Sequence, residues 1–452
     1  MELKEDRAFE EKVRDIYHDV RYELKFKQEG QEIDSDKLKE IHREIIAGFK
    51  SGQKKILTEL KSLQILAKEN QVLLKTARRE GNKNRTDELI LNSKNIEYQD
   101  SIYRNLADTI AWQMLNGEHY LYRRFYTGET GAKDLSDKAF SHVVDFSDRV
   151  NEDPDAFCLI ADITNNIQLG DCLIRDNDGI KVSEIKSGEM NFKAIDIIND
   201  RKLTDDDFNE KKLSEEFEDK FIKQMKRMVS QKGKTERAAK IVKENSGPDP
   251  KYKDTNIHIV ENNFQIDTYH MELLGLLSQL KSQDWAYTCV GAIVHIGVYK
   301  NDWRVYGQFA MEQLCDPFPF IDLMSSRGVM ICEPIFLKPF PEDVIMDIVF
   351  GRIKVFIGID YNNFIKFSND LGVDASWSTA KELQKYLQKF TYDKREIFSI
   401  DNKGIKLEID GNEIFVGHGF FSKILFDHFL PETMILKYVG MISNIVNRKK
   451  QD

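Results

Sequence analysis

The chain has 452 residues, 66 Lys and Arg against 76 Asp and Glu, a net charge of −10 and 41% hydrophobic residues. That length allows two or three domains with cores of their own. The acidic balance excludes a generic nucleic-acid coat, so any contact with DNA or RNA must use a local basic surface.

Five cysteines (Cys158, Cys172, Cys289, Cys315 and Cys332) show no C-x-x-C spacing, which points to a reducing compartment and no structural zinc. The opening MELKEDRAFEEK has no apolar stretch of a leader, and nowhere do eighteen apolar residues run together. The expectation is a soluble, cytoplasmic protein without membrane contact.

Residues 1–100 read as a helical arm or bundle. Glu and Lys are abundant, proline is absent, and Ile56, Leu60, Leu63 and Leu66 recur at helical intervals. Gly81 and Asn82-Lys83-Asn84 mark a turn. This segment is expected to pack, to support a homo-oligomer or to dock onto a partner subunit. From Tyr103 to Phe125 a further helical pattern puts Ala111, Met114, Leu115, Leu121, Tyr122 and Phe125 on one side, with Glu118 on the same stripe. A carboxylate on an apolar stripe is costly unless it has a partner. The alternative is that Asn116-Gly117 ends one helix and Glu118 stands in the first turn of the next, where the helix dipole favours it.

Asp155–Ile163 is the first predicted strand. Two short apolar-rich runs then flank Asp176-Asn177-Asp178-Gly179, a hairpin turn by composition. A loop centred on Asn177 and Asp178 pairs Asp176 with Gly179 and, step by step, Asp171 with Glu184. The two-residue period puts Glu184 and Lys186 on one face and Ile185 on the other. Two carboxylates opposed across a ladder repel. A divalent cation would offset that repulsion, and Mg²⁺ suits the hard oxygen donors of Asp171, Glu184 and the Ile185 carbonyl.

Beyond Lys186 the pattern turns helical, and Phe217, Phe221, Gln224 and Met228 follow one buried stripe with Gln224 inside it. From Lys220 to Lys243 there are nine Lys or Arg residues against one acid, Glu236. Within that run Lys220, Lys223, Lys226, Arg227, Lys232 and Lys234 are candidates to hold nucleic-acid phosphates with salt-dependent, sequence-independent affinity.

Strands at Thr255–Val260 and Tyr287–Tyr299 enclose a helix at Thr268–Leu280. The order from Tyr103 to Lys300 suits a mixed sheet flanked by helices. Residues 301–452 alternate strands and helices without a motif that names a reaction. Gly128-x-x-Gly131-x-Lys133 is too short for a Walker A loop, and there is no G-x-S-x-G or H-E-x-x-H, which excludes those chemistries.

Gly170-Asp171, twelve intervening residues, then Glu184-Ile185-Lys186 resembles the G-D…E-x-K core of the PD-(D/E)XK nuclease superfamily, over roughly Leu106–Lys300. The resemblance implies an α/β (α+β) fold with a restriction-endonuclease-like mixed sheet in residues 101–300, between the arm and a C-terminal α+β domain at 301–452. It implies Asp171, Glu184 and Lys186 as catalytic residues, and Mg²⁺, replaceable by Mn²⁺, on Asp171, Glu184 and Ile185, with Glu118 as a further ligand. Gln224 would match the glutamine of a Q-x-x-x-Y motif, although Met228 stands where that motif has Tyr. The implied activity is Mg²⁺-dependent phosphodiester hydrolysis, of DNA before RNA, by analogy in a restriction or anti-phage effector. The alternative is an inactive nuclease-fold module that binds nucleic acid, or a partner protein through its arm.

Overall fold

The N-terminal helical pattern is the fold's longest feature. In the computed structural model, which describes residues 7–21, 34–126, 128, 134–186, 188–205, 207–252, 255–259, 267–324, 331–389, 396–409 and 411–449, it forms three helices. These are α1 (Arg7–Val20), α2 (Ser35–Arg79) and α3 (Lys83–Met114). Asp34 and Asn82 cap α2 and α3 by accepting the Lys37 and Arg85 N–H groups at 2.8 and 3.1 Å. Ile56, Leu60 and Leu63 are buried as their spacing predicts, while Leu66 is half exposed. Beyond Leu63, α2 buries Asn70 and Ala77. Asn70 donates to the Leu89 carbonyl of α3 at 2.9 Å.

The chain forms two compact units, Met1–Ile259 with Pro334–Leu337, and Val260–Glu333 with Lys338–Asp452. The boundary expected at 100 is absent, because α3 runs through it without a break. The one expected at 300 lies instead near 260.

The first unit continues with α4 (His119–Arg124), α5 (Lys138–Val150), β1 (Phe157–Ile160), β2 (Cys172–Asp176) and β3 (Gly179–Ser183). Then follow α6 (Glu189–Asp200), α7 (Glu210–Leu213), α8 (Asp219–Glu244), β4 (Ser246–Pro248) and β5 (Asn256–His258). β1-β2-β3 is an antiparallel three-stranded sheet, and among the described residues β4 pairs with β5 alone.

The broad mixed sheet is therefore not what the described residues make. A physical reason lies on β1's outer edge, where side chains already satisfy the backbone. Gln53 of α2 accepts the Ile160 N–H at 2.9 Å and donates to the Cys158 carbonyl at 2.9 Å. Ser147 donates to that same carbonyl at 2.9 Å, and Asn151 accepts the Cys158 N–H at 2.8 Å. A strand whose outer donors and acceptors are taken cannot template another. The same contacts make the helical arm part of the sheet's own unit.

The second unit holds α9 (His270–Gln279), β6 (Trp285–Val290), β7 (Val294–Lys300), α10 (Trp303–Cys315), β8 (Phe320–Asp322) and α11 (Glu342–Val349). It goes on with β9 (Ile353–Ile359), α12 (Tyr361–Asp370), β10 (Asp374–Trp377), α13 (Ala380–Lys389), β11 (Ile405–Ile409), β12 (Asn412–Phe415), α14 (His418–Phe426) and α15 (Pro431–Lys449). Its sheets are antiparallel, in the orders β6-β7-β9-β8 and β10-β11-β12. The single strand expected at Tyr287–Tyr299 is a hairpin, turned by Gly291 and Ala292 at φ of 57° each. Among the described residues it pairs inside this unit, with β9. Val260, Gly131 and Lys133 lie outside the described residues.

The class is thus mixed α+β built from small antiparallel sheets. No helix among the described residues is long and apolar enough to cross a membrane.

Candidate functional site

The β2–β3 hairpin forms with the predicted register, from Asp176 opposite Gly179 to Cys172 opposite Ser183. Its two-residue loop is held by Asp176 accepting the Asp178 N–H at 2.9 Å, with Lys181 bonded to Asp176 and Asp178 at 2.7 and 2.9 Å. Arg175 ties the hairpin to the end of α3 through the Met114 carbonyl at 2.5 Å and Asn116 at 2.9 Å.

At the open end the ladder departs from the expected pairing. The Asp171 N–H donates to the Ser183 carbonyl at 2.8 Å, so the strand slips by one residue in the manner of a bulge and Asp171 does not pair with Glu184. Gly170 makes the slip possible: its φ is +77°, and a Cβ there would lie 2.4 Å from Val182 Cγ1 and 3.1 Å from the Ser183 carbonyl oxygen. The consequence is that Asp171 reaches past Glu184, and its Oδ2 accepts the Ile185 N–H at 2.6 Å.

Glu184 and Lys186 share a face, as the two-residue period requires. Lys186 Nζ lies 2.7 Å from Glu184 Oε2 and donates to Gln231 Oε1 at 3.2 Å. Both side chains are largely buried, at 17% and 20% exposure, so this pair is screened less than a surface pair. The glutamine that braces the lysine is therefore Gln231. Gln224, two turns earlier on α8, instead donates to Asn191 of α6 at 2.5 Å. Spacing placed Gln224 on the correct side of the helix but at the wrong height.

The basic run is helix α8. Lys220, Lys223, Arg227 and Lys234 fall on the same side as Gln231 by helical spacing, and all but the half-buried Lys234 are exposed. Lys226 points away from that stripe and pairs with Glu210 at 2.5 Å. Lys232 lies about a quarter turn from Gln231, off the stripe by helical geometry.

Glu118 is not part of this arrangement. Asn116 and Gly117, at φ of 56° and 71°, end α3, and Glu118 stands exposed as the residue before α4. The apolar stripe breaks there, and Glu118 stands one residue ahead of α4, not in its first turn, and makes no side-chain cap.

The carboxylate that α3 does bury is Asp108, 1% exposed. It accepts from Tyr122 at 3.0 Å, from the Asn165 and Asn166 N–H groups at 3.1 and 3.2 Å, and from the Asn165 side chain at 2.8 Å. Burial pushes its carboxyl up to about 6 in spite of those four bonds. Asp108 clamps the loop that leads into Gly170-Asp171. Its signal in the sequence is an acid between Leu106-Ala107 and Ile110-Ala111, the same cue that singled out Glu118.

An open groove of about 680 Å³ adjoins Lys186, lined by Ile185, Phe192 and the α5 residues His142, Asp145, Asp148 and Arg149. Asp171 and Glu184 do not line it. Sequence reasoning missed this wall, although Phe140, Val143 and Ser147 are buried at helical spacing on α5 and leave those four polar residues on the other face.

Among the described residues no group of three or more His, Cys, Asp or Glu is placed to hold a metal ion. The smaller donor set still fits Mg²⁺ by its chemistry. Asp171 and Glu184 each spend one oxygen on a protein partner, and with the Ile185 carbonyl they offer hard oxygen donors to an ion that keeps several waters and a phosphate in its shell.

Comparison with known proteins returns no match, whether to a family model, a curated protein or a solved structure.

Proposed function

We propose that this chain is a metal-dependent nuclease with a site like that of the PD-(D/E)XK superfamily, which hydrolyses phosphodiester bonds in DNA as a cytoplasmic restriction or anti-phage effector. The observation that carries the reading is the convergence at the hairpin's open end: Asp171 on the Ile185 N–H at 2.6 Å, and Lys186 between Glu184 at 2.7 Å and Gln231 at 3.2 Å. Motif spacing alone does not require a helix some 45 residues on to brace the motif's lysine.

Phosphodiester hydrolysis needs a water in line with the leaving oxygen and a sink for charge on the phosphoryl oxygens. Lys186, held from two sides, would orient that water and neutralise developing charge. Asp171 and Glu184 would hold Mg²⁺ or Mn²⁺, which when bound polarises phosphate and acidifies water. Lys220, Lys223, Arg227 and Lys234, on the side of α8 that meets Lys186, would hold the backbone of the substrate.

The test is the purified chain with plasmid, linear duplex, single-stranded DNA and RNA, with Mg²⁺, Mn²⁺ or EDTA. Glu184→Gln and Lys186→Ala should each lose roughly 10²-fold or more of metal-dependent cleavage with unchanged thermal unfolding. Full activity in either variant ends the proposal.

A second reading is favoured by the absence of a three-ligand cluster among the described residues: a nuclease-fold module without activity. It would bind nucleic acid through α8, or a partner through α2, where Ile65, Leu66, Val72 and Leu73 stand exposed. DNA binding that persists with no cleavage in any metal would select it.

A further inference from the structure

Among the described residues, a cluster of exposed aromatic side chains lies far along the chain from the hairpin, on α10 and the strand beside it. Val305, Tyr306 and Phe309 are 66%, 61% and 62% exposed, and Trp285 and Trp303 extend the patch. The rings are continuous, with Trp285 to Trp303 at 5.9 Å and Trp303 to Tyr306 at 6.0 Å. The opposite side of α10 is spoken for: Gly307, Met311 and Cys315 are buried, the last two in a cluster with Tyr299 and Phe356. One helix thus presents a packed face and, among the described residues, an exposed apolar face. Folding alone does not explain the second.

We propose that this face binds a second copy of the same chain about a two-fold axis. Charge selects that occupant. The chain carries −10, so two copies repel over most of their surfaces. Between Trp303 and Cys315 the charged residues are Arg304 and Glu312. Arg304 is turned back onto its own unit, donating to the Gly351 and Asn301 carbonyls at 2.9 Å each. A nearly neutral face is where like-charged copies can meet.

The helix is also self-complementary. Phe309 stands midway between Trp303 and Cys315, so antiparallel pairing about it would set Phe309 on Phe309 and each Tyr306 against Glu312 of the other copy, an O–H donor facing a carboxylate. Aromatic side chains carry roughly 150–250 Å² each. Five half-exposed residues, four of them aromatic, therefore offer on the order of 500 Å² per copy, or about 1,000 Å² per pair, the size of a weak specific interface. The dimer should be reversible, with a dissociation constant of roughly micromolar order.

Sedimentation velocity of the full chain from about 0.5 to 100 µM tests this. The expected result is a shift with concentration from 52.7 kDa to twice that mass. Phe309→Glu, at an exposed position that leaves the packed face alone, should weaken the dimer at least ~100-fold by facing two like charges at the axis, with unchanged thermal unfolding. Tyr306→Phe should weaken it several-fold, by removal of one hydrogen bond per half-interface. A chain that is monomeric throughout, or a dimer untouched by Phe309→Glu, overturns the assignment. So does quenching of tryptophan fluorescence by an oligonucleotide that binds one copy of the chain and forms no dimer, which would make the patch a stacking platform. None of these readouts depends on nuclease activity.

Discussion

Replacing Gly170 with alanine should damage both stability and the candidate site, and the structure allows the two to be apportioned. At φ of +77° a non-glycine residue costs roughly 1–2 kcal/mol of backbone strain. The added Cβ would stand 2.4 Å from Val182 Cγ1 and 3.1 Å from the Ser183 carbonyl oxygen, so something must move. Overpacking of that kind costs about 1–3 kcal/mol. The total, about 2–5 kcal/mol, corresponds to a fall in Tm of roughly 4–20 °C for a unit of this size. Gly179→Ala isolates the strain alone, because its φ is +111° and nothing lies within 4 Å of the added atom. A Gly170→Ala, Val182→Ala double variant removes the worst contact and should recover only the packing share, with a coupling of about 1–3 kcal/mol. Since Gly170 sets where Asp171 stands, cleavage by Gly170→Ala should fall about 10²-fold below the temperature of unfolding. Scanning calorimetry of the three variants reads the energies. A Gly170→Ala protein that melts with the wild type would mean that the hairpin does not slip at Asp171.

Gln231→Leu should lower cleavage about 10-fold while leaving DNA affinity within a factor of two, and Gln224→Leu should leave both unchanged; equal effects would show that Lys186 is not braced from α8. Arg227→Ala and Lys234→Ala should each lower the slope of log affinity against log salt by about 1, whereas Lys232→Ala should not. If all three lower it alike, the stripe defined by Gln231 is the wrong one. Asp108 tests the buried clamp through pH. Its carboxyl is raised from 3.8 to about 6, so its contribution to stability is fully present below pH 3.8 and is lost as pH rises through about 6. That shift is worth about 3 kcal/mol. Denaturant unfolding from pH 4 to 7 should therefore show stability falling by up to that amount in the wild type relative to Asp108→Asn. Parallel pH profiles for the two proteins would contradict the assignment.

What could be read from the sequence is what short-range chemistry decides. Asp176-Asn177-Asp178-Gly179 specifies its turn, the turn specifies the register, and the register carries Glu184 and Lys186 onto one face. Asp171 escapes the same reasoning because of one glycine. Alternation assumes an unbroken pleat, and Gly170 at positive φ breaks it one residue before the acid. Glu118 fails for a related reason, since a stripe drawn across Asn116-Gly117 joins two helices that the left-handed pair separates.

The sheet's extent depends on contacts of another kind. β1 ends the sheet because a glutamine more than a hundred residues earlier fills its outer edge, and Gln53 looks in sequence like any polar residue on a long helix. The site follows the same division. Local pattern identifies α8 as basic and amphipathic, but which of its two glutamines reaches Lys186 depends on how far the helix slides along β3 when Ile222, Met225, Met228 and Val229 pack against Ala194 and Ile198 of α6. That packing sets α8's height, and a shift of two turns, about 10 Å, separates a glutamine that braces the lysine from one that holds Asn191. The hypothesis of catalysis therefore rests as much on the α6–α8 core as on the hairpin. Substitutions at Met225 or Ala194, buried in that core, should lower cleavage by displacing Gln231 and the basic stripe of α8 together.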